Sequence, residues 1–203
     1  MPTAPAKANP KWRDLHTVGT VVHQRIQVLQ EGVLANRSAE VAALARLRRG
    51  AGKPAGSLHD ILEHTLSEEF VHSGAGDEPT FEENAAHIVL TLWAVHQQSQ
   101  RTRMHQRGHG LGRAVRRLHP DEPGPTLTPV VRRFQTLGTA DSLGELVHHT
   151  RGMVQLLRAK AIPLDYALLA DELVWWQRPR GAAGVRLRWG REFYRAPKPD
   201  SES

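Results

Sequence analysis

Leu15, Val18, Val22, Ile26, Leu29 and Val33 recur at steps of three and four, the spacing that lines one stripe of an α-helix. A second helix begins after Ser38, with Val41, Leu44 and Leu47 as its apolar positions and a stop at Gly50-Ala51-Gly52. Thr80 and Glu83 stand at capping-box spacing before a helix whose Phe81, Ala85, Ile88, Leu92 and Val95 share a face. Further on, Leu111, Val115 and Leu118 line one side of a short helix, and Arg113, Arg116 and Arg117 project from the other.

Thr128-Pro129 supplies an N-cap and a proline at the first helical position, leading into Val130, Phe134 and Leu137. Ser142 and Glu145 repeat the capping-box spacing ahead of Leu143, Leu146, Val147, Thr150, Val154 and Leu157. Another helix starts near Pro163 and carries Tyr166, Leu169, Leu173 and Trp176. The last places Val185, Trp189 and Phe193 near one face, with Arg188, Arg191 and Arg195 on another. No segment alternates with period two, so the pattern predicts an all-α chain, a helical bundle. The stretch from His119 to Pro129 is too rich in proline and glycine for a regular element. It divides an expected N-terminal lobe, 11–119, from a C-terminal lobe, 129–196, with 1–10 and 197–203 as disordered tails.

Composition adds a partner class. The 203 residues suffice for a real core, and the net charge of +6 favours a polyanionic partner. The basic residues are mostly arginine, whose planar fork suits phosphate; the lysines are Lys7, Lys11, Lys53, Lys160 and Lys198. An Arg-favouring genome would give the same bias. Charge is also segregated, since no Lys or Arg falls between Pro54 and Gln100, where Asp60, Glu63, Glu68, Glu69, Asp77, Glu78, Glu82 and Glu83 lie. The opening "MPTAPAKANPKW" has no apolar core for a signal peptide, and no run approaches the roughly 20 apolar residues of a membrane span. The expectation is a soluble cytoplasmic protein.

Catalytic chemistry finds no support. Without cysteine there are no disulfides, thiolate nucleophiles or cysteine-ligated zinc sites. The 12 histidines include no His-Glu-x-x-His and no other ligand spacing, and read as satisfied polar or surface groups. Around Gly52-Lys53 a phosphate-binding P-loop fails twice, because Leu47 holds the first glycine position and Pro54 the hydroxyl position. Gly108, Gly110 and Gly112 miss the dinucleotide spacing, and no serine elbow occurs. No enzyme and no cofactor or metal site are expected. Trp93, Trp175, Trp176 and Trp189 sit at or beside apolar helical positions and are expected in the core.

The basic groups fall into three patches: Arg46 and Arg49 with Lys53; Arg101, Arg103 and Arg107 leading into Arg113, Arg116 and Arg117; and Arg188, Arg191 and Arg195. Helix-anchored cations aimed away from a core can track phosphates without reading sequence.

On "LARLRRGAGKPAG", "WAVHQQS" followed by "MHQRGHGLGRAVRRL", and "LRAKAIPLDYALLADELVWWQ" with "VRLRWGREFYRAPKP", the chain resembles the CasB-type small subunit of Cascade, the type I-E CRISPR surveillance complex. The resemblance runs from about Leu15 to Pro199. It implies an all-helical two-lobed fold and a non-enzymatic subunit, present as a pair, contacting the large subunit and the repeated backbone subunits. Its arginine surface would steady opened target DNA, above all the displaced strand, alongside the guide RNA. The basic groove maps to Arg46, Arg49 and Lys53, then Arg107, Arg113, Arg116 and Arg117. Leu58 to Thr80 matches least well, and its acidic residues are assigned to a protein partner or to solvent. The competing reading is a free-standing basic helical adaptor for acidic protein or anionic surfaces.

Overall fold

A computed structural model describes residues 14–72, 76–118 and 128–195. Its helices are α1 (Thr17–Leu34), α2 (Ser38–Arg49), α3 (Leu62–Thr65), α4 (Phe81–Gln97), α5 (Leu111–Leu118), α6 (Pro129–Thr139), α7 (Leu143–Ala159), α8 (Tyr166–Gln177) and α9 (Gly181–Arg195). Single helical turns at His59–Ile61 and Glu68–Phe70 flank α3. Among the described residues the one β-type contact is an isolated bridge between His105 and Leu164, so the all-α expectation holds.

The centre of the molecule is α4. Every residue from Ala85 to Gln97 is buried, as expected of a helix wrapped on all sides by others. Around it lie α1, α2, α7 and α8, while α9 bridges α8 and α5. Its start is fixed by the sequence: Thr80 accepts from Glu83 N at 3.1 Å, and Glu83 accepts from Thr80 N at 2.8 Å. The expected linker and both tails lie largely outside the described residues. Helices from either side of that linker share one apolar cluster, in which Val22 and Ile26 of α1, Leu92 of α4 and Leu169 of α8 all belong.

Two close crossings depend on glycine. A Cβ on Gly19 would stand 2.8 Å from Ala167 O on α8, and one on Gly112 would collide with Trp189 O on α9. At the first crossing Asp171 of α8 accepts from Gly19 N at 2.8 Å and from His16 N at 2.9 Å, capping α1 from a distant helix.

The structure corrects three expected core positions. Val41 is 38% exposed, because at about 100° per residue it falls about 120° from Leu47; Ala43 joins Leu44 and Leu47 in the interior. Phe81 opens α4 beyond the edge of the core and is exposed. Trp175 is 48% exposed, since Trp176 beside it takes the inward direction on α8; Trp93, Trp176 and Trp189 are buried as expected.

Candidate nucleic-acid interface

The first patch is compensated from within the chain. Arg46 donates to Glu63 Oε1 at 3.2 Å, and Arg49 pairs with Asp60. The acidic stretch after Leu58 is therefore not given over to a partner or to solvent alone. The turn at His59–Ile61 packs against α2, and it and the start of α3 return Asp60 and Glu63 to arginines that stand well before them in the linear sequence. Lys53 is exposed and has no acidic partner among the described residues.

Residues 98–110 carry the first half of the second patch without forming a helix. Buried amides replace regular hydrogen bonding: Gln97 Oε1 accepts from Met104 N at 3.0 Å and Gln30 Oε1 from His105 N at 2.9 Å, while Gln97 Nε2 donates to Thr102 O at 2.9 Å. On this loop the arginines have different fates. Arg101 is exposed. Arg103 reaches Glu31 at 3.4 Å, an exposed pair. Arg107 donates Nε–H to Asp165 at 3.1 Å, and that carboxylate is buried. Arg107 is therefore held in an internal ion pair.

On α5 the picture differs. Arg113 donates to Gly108 O at 3.3 Å and Arg117 to His109 Nδ1 at 3.4 Å. Burial, then the charges of Arg117 and Arg113, hold His109 below the usual histidine range, so its ring is neutral and can accept. Neither of these acceptors is a carboxylate, and both arginines are exposed. Arg116 is half-buried and already engaged. In the third patch Arg188 meets buried Glu172 at 3.3 Å, and the same carboxylate accepts from Trp189 Nε1 at 2.7 Å. Arg191 is exposed on α9, the helix packed against α5. The backbone of Arg195 closes α9.

The structure thus separates the candidates. Lys53, Arg101, Arg113, Arg117 and Arg191 present charge to solvent; Arg46, Arg49, Arg103, Arg107 and Arg188 share theirs with carboxylates. Two further basic groups, Arg151 and His148 on α7, stand beside the Lys53 loop and were not among the sequence candidates. Their place on a helix with a strong apolar stripe gives no signal, because the loop they face is distant in sequence.

The buried histidines serve the core. His105 Nδ1 accepts from Tyr166 N at 3.1 Å, so its Nε2–H points to His23 Nδ1 at 2.8 Å. His96 Nδ1 lies 2.9 Å from Tyr166 Oη. No group of three or more potential metal ligands occurs among the described residues, and no helix there is long and apolar enough to cross a membrane.

Residues 43–194 match the family model described as CRISPR-associated protein Cse2. Among solved structures, the chain is similar to CasB from Thermobifida fusca, at 45% identity over 89% of this chain and 99% of that one, with a TM-score of 0.75. A Cse2-family CRISPR-associated protein from Thermus thermophilus matches at 28% identity over 88% and 98%, TM-score 0.64. The M. ruber CasB structure, at 24% identity over 84% and 93% and a TM-score of 0.56, shares the fold. A comparison with the curated proteins finds no match. With the family model spanning α2 to α9 and an all-helical fold that agrees throughout, the chain belongs to the CRISPR-associated Cse2 (CasB) family.

Proposed function

We propose that the chain is a non-catalytic subunit of a type I-E Cascade complex that holds nucleic-acid backbone during guide RNA–target DNA engagement, including the displaced strand of the R-loop. The observation that carries this reading is the pair Arg113 and Arg117: both are exposed, oriented by a carbonyl and a neutral histidine, and uncompensated by those acceptors. Such cations attract phosphate without sequence preference. Lys53, Arg101 and Arg191 extend the surface, and Arg46 and Arg49 join it to the extent that DNA displaces Glu63 and Asp60. Exchange of a DNA duplex for an RNA–DNA heteroduplex is nearly balanced, so a few backbone contacts tip it.

In this reading the chain acts as one of a pair, beside the large subunit and the repeated backbone subunits, in the cytoplasm. The apolar cluster shared by helices before 119 and after 128, and the packing of α5 on α9, support a fixed relation between the cations of α5 and those of α9.

The test is the affinity of the guide-loaded complex for matched target duplex, with the chain present and omitted, at two salt concentrations. Omission weakens binding, more for matched than for unmatched DNA. Replacing Arg113, Arg116 and Arg117 with glutamine lowers the slope of log affinity against log salt by roughly one for each phosphate no longer neutralised. An unchanged slope removes α5 from the interface. A chain that neither joins the complex nor alters binding overturns the reading in favour of a free-standing basic adaptor.

A further inference from the structure

The loop after α2 and the first turns of α7 enclose an open cleft of about 440 Å³, within the usual range for small-ligand sites. Pro54, Ile88, Leu143 and Val147 provide apolar surface; Lys53, His148 and Arg151 provide the basic groups. No carboxylate lines it among the described residues. The larger cleft, about 720 Å³, beside α1 and α8 differs in that its lining mixes charges, Asp14, Glu69, Glu82 and Asp171 with Arg178 and Arg188.

The cleft is built from both sides. Gly52 adopts φ +83°, a left-handed conformation that glycine accepts without penalty, and Lys53 N donates to Gly50 O at 3.0 Å. From α4, His87 (2% exposed) lies with Nε2 3.0 Å from Lys53 O. A carbonyl can only accept, so Nε2 carries the proton; burial lowers the histidine's affinity for a second one. From α7, Arg151 Nη1 donates to Ala51 O at 3.2 Å. Two helices therefore fix the backbone on either side of Gly52, and Lys53 and Arg151 meet the same loop. This is a phosphate-attracting edge next to an apolar surface, the two halves of a nucleotide's chemistry.

We propose that this cleft takes one unstacked nucleotide of a single strand, with the base against Leu143 and Val147 and the adjoining phosphate against Lys53 and Arg151. The proposal rests on the reading that the chain binds nucleic-acid backbone, and adds that it recognises a base outside the stack. An apolar surface accepts any base, so the site favours single strands over duplex with little sequence preference.

The experiment uses the full chain at low salt with two fluorescent probes of equal length and charge, a short oligothymidylate and an abasic strand. The parent chain binds the oligothymidylate about tenfold more tightly, the order expected when one face of a base buries apolar surface. Lys53→Gln with Arg151→Gln weakens both probes. Gly144→Leu, placed where a Cβ meets nothing within 4 Å, fills the cleft with no change of charge and no stacking ring, and removes the preference while sparing the abasic strand. Val147→Gln alters the apolar surface independently and acts in the same direction. Equal binding of both strands by the parent, or a preference kept in both cleft variants, overturns the nucleotide site and leaves the backbone reading standing. Failure to bind either strand overturns the nucleotide site, while the backbone reading stands or falls with the guide-loaded complex. Thymidine monophosphate competing as well as the strand assigns the cleft to a free nucleotide and overturns the strand proposal.

Discussion

Arg107 donates its Nε–H to Asp165 across 3.1 Å, tying the loop before α5 to the N-cap of α8. The same carboxylate accepts from Gly108 N at 2.7 Å and caps α8 through Leu168 N at 3.0 Å. Its 1% exposure means that the charge must be matched from within. Asp165→Ala leaves Arg107 and two backbone donors without this acceptor and lowers unfolding stability by about 3–5 kcal/mol. Chemical denaturation measures this; a loss below about 1 kcal/mol would show that the groups find water or another acceptor.

A single methyl group has opposite effects at two helical glycines. Gly112→Ala drives a Cβ into Trp189 O, forces α5 away from α9, and costs at least about 2 kcal/mol. Gly152→Ala, in the middle of α7 with nothing within 4 Å, gains up to about 1 kcal/mol from helix propensity. Melting temperatures of the two variants should move in opposite directions. Movement of both in the same direction would overturn the close crossing.

What the sequence made legible was local. The stop of α2 follows from the glycines after Arg49 and the capping box of α4 from two residues three apart, whereas α2 starts at Ser38 itself, with Arg37 as an N-cap that makes no side-chain bond. At α7 half of that logic holds: Ser142 accepts from Glu145 N, but Glu145 accepts from Asp141 N, one residue upstream of Ser142. What escaped was long-range. Arg46 and Glu63 are 17 residues apart, Arg107 and Asp165 are 58 apart, and Gln30 and His105 are 75 apart. A helical wheel shows which side of a helix an arginine takes, and says nothing of the carboxylate another element brings to it. Hence the three patches are visible in the sequence while their compensated members are not, and the cleft beside Lys53 emerges only when α7 is placed against the loop.

Acid should unfold the protein from within. Burial, the largest cause, holds both His96 and His105 down to about 4, with the charge of Arg158 adding to the effect at His96. The unfolded chain has the ordinary value of 6.5, so it binds more protons between these limits. The stability from the neutral rings is complete above pH 6.5, falls as the pH drops toward 4, and is lost below it. Each ring accounts for up to about 3 kcal/mol over that window. Asp171, raised by burial, acts in the opposite sense, binding its proton more readily when folded. Melting temperature against pH should therefore fall steeply from 6.5 to 4, and His96→Gln should flatten that fall by close to one proton. A profile level across the window would contradict the neutral buried rings.

The acidic stretch gives the sharpest test of how the first patch works. Arg46 and Arg49 sit on the last turn of α2, and Glu63 and Asp60 partly cancel their field toward an approaching strand. Exposed ion pairs contribute little to folding, so Asp60→Asn with Glu63→Gln should change stability by less than about 1 kcal/mol. Binding should respond far more, because the two arginines no longer share their charge with a carboxylate. In the guide-loaded complex the double variant should bind matched DNA more tightly at low salt, with a slope of log affinity against log salt steeper by up to about two, one for each further phosphate neutralised. Tighter binding with an unchanged slope would point to a conformational effect. No change in either quantity would show that α2 faces away from DNA, leaving Arg46 and Arg49 as ties between the helix and the loop that folds back onto it.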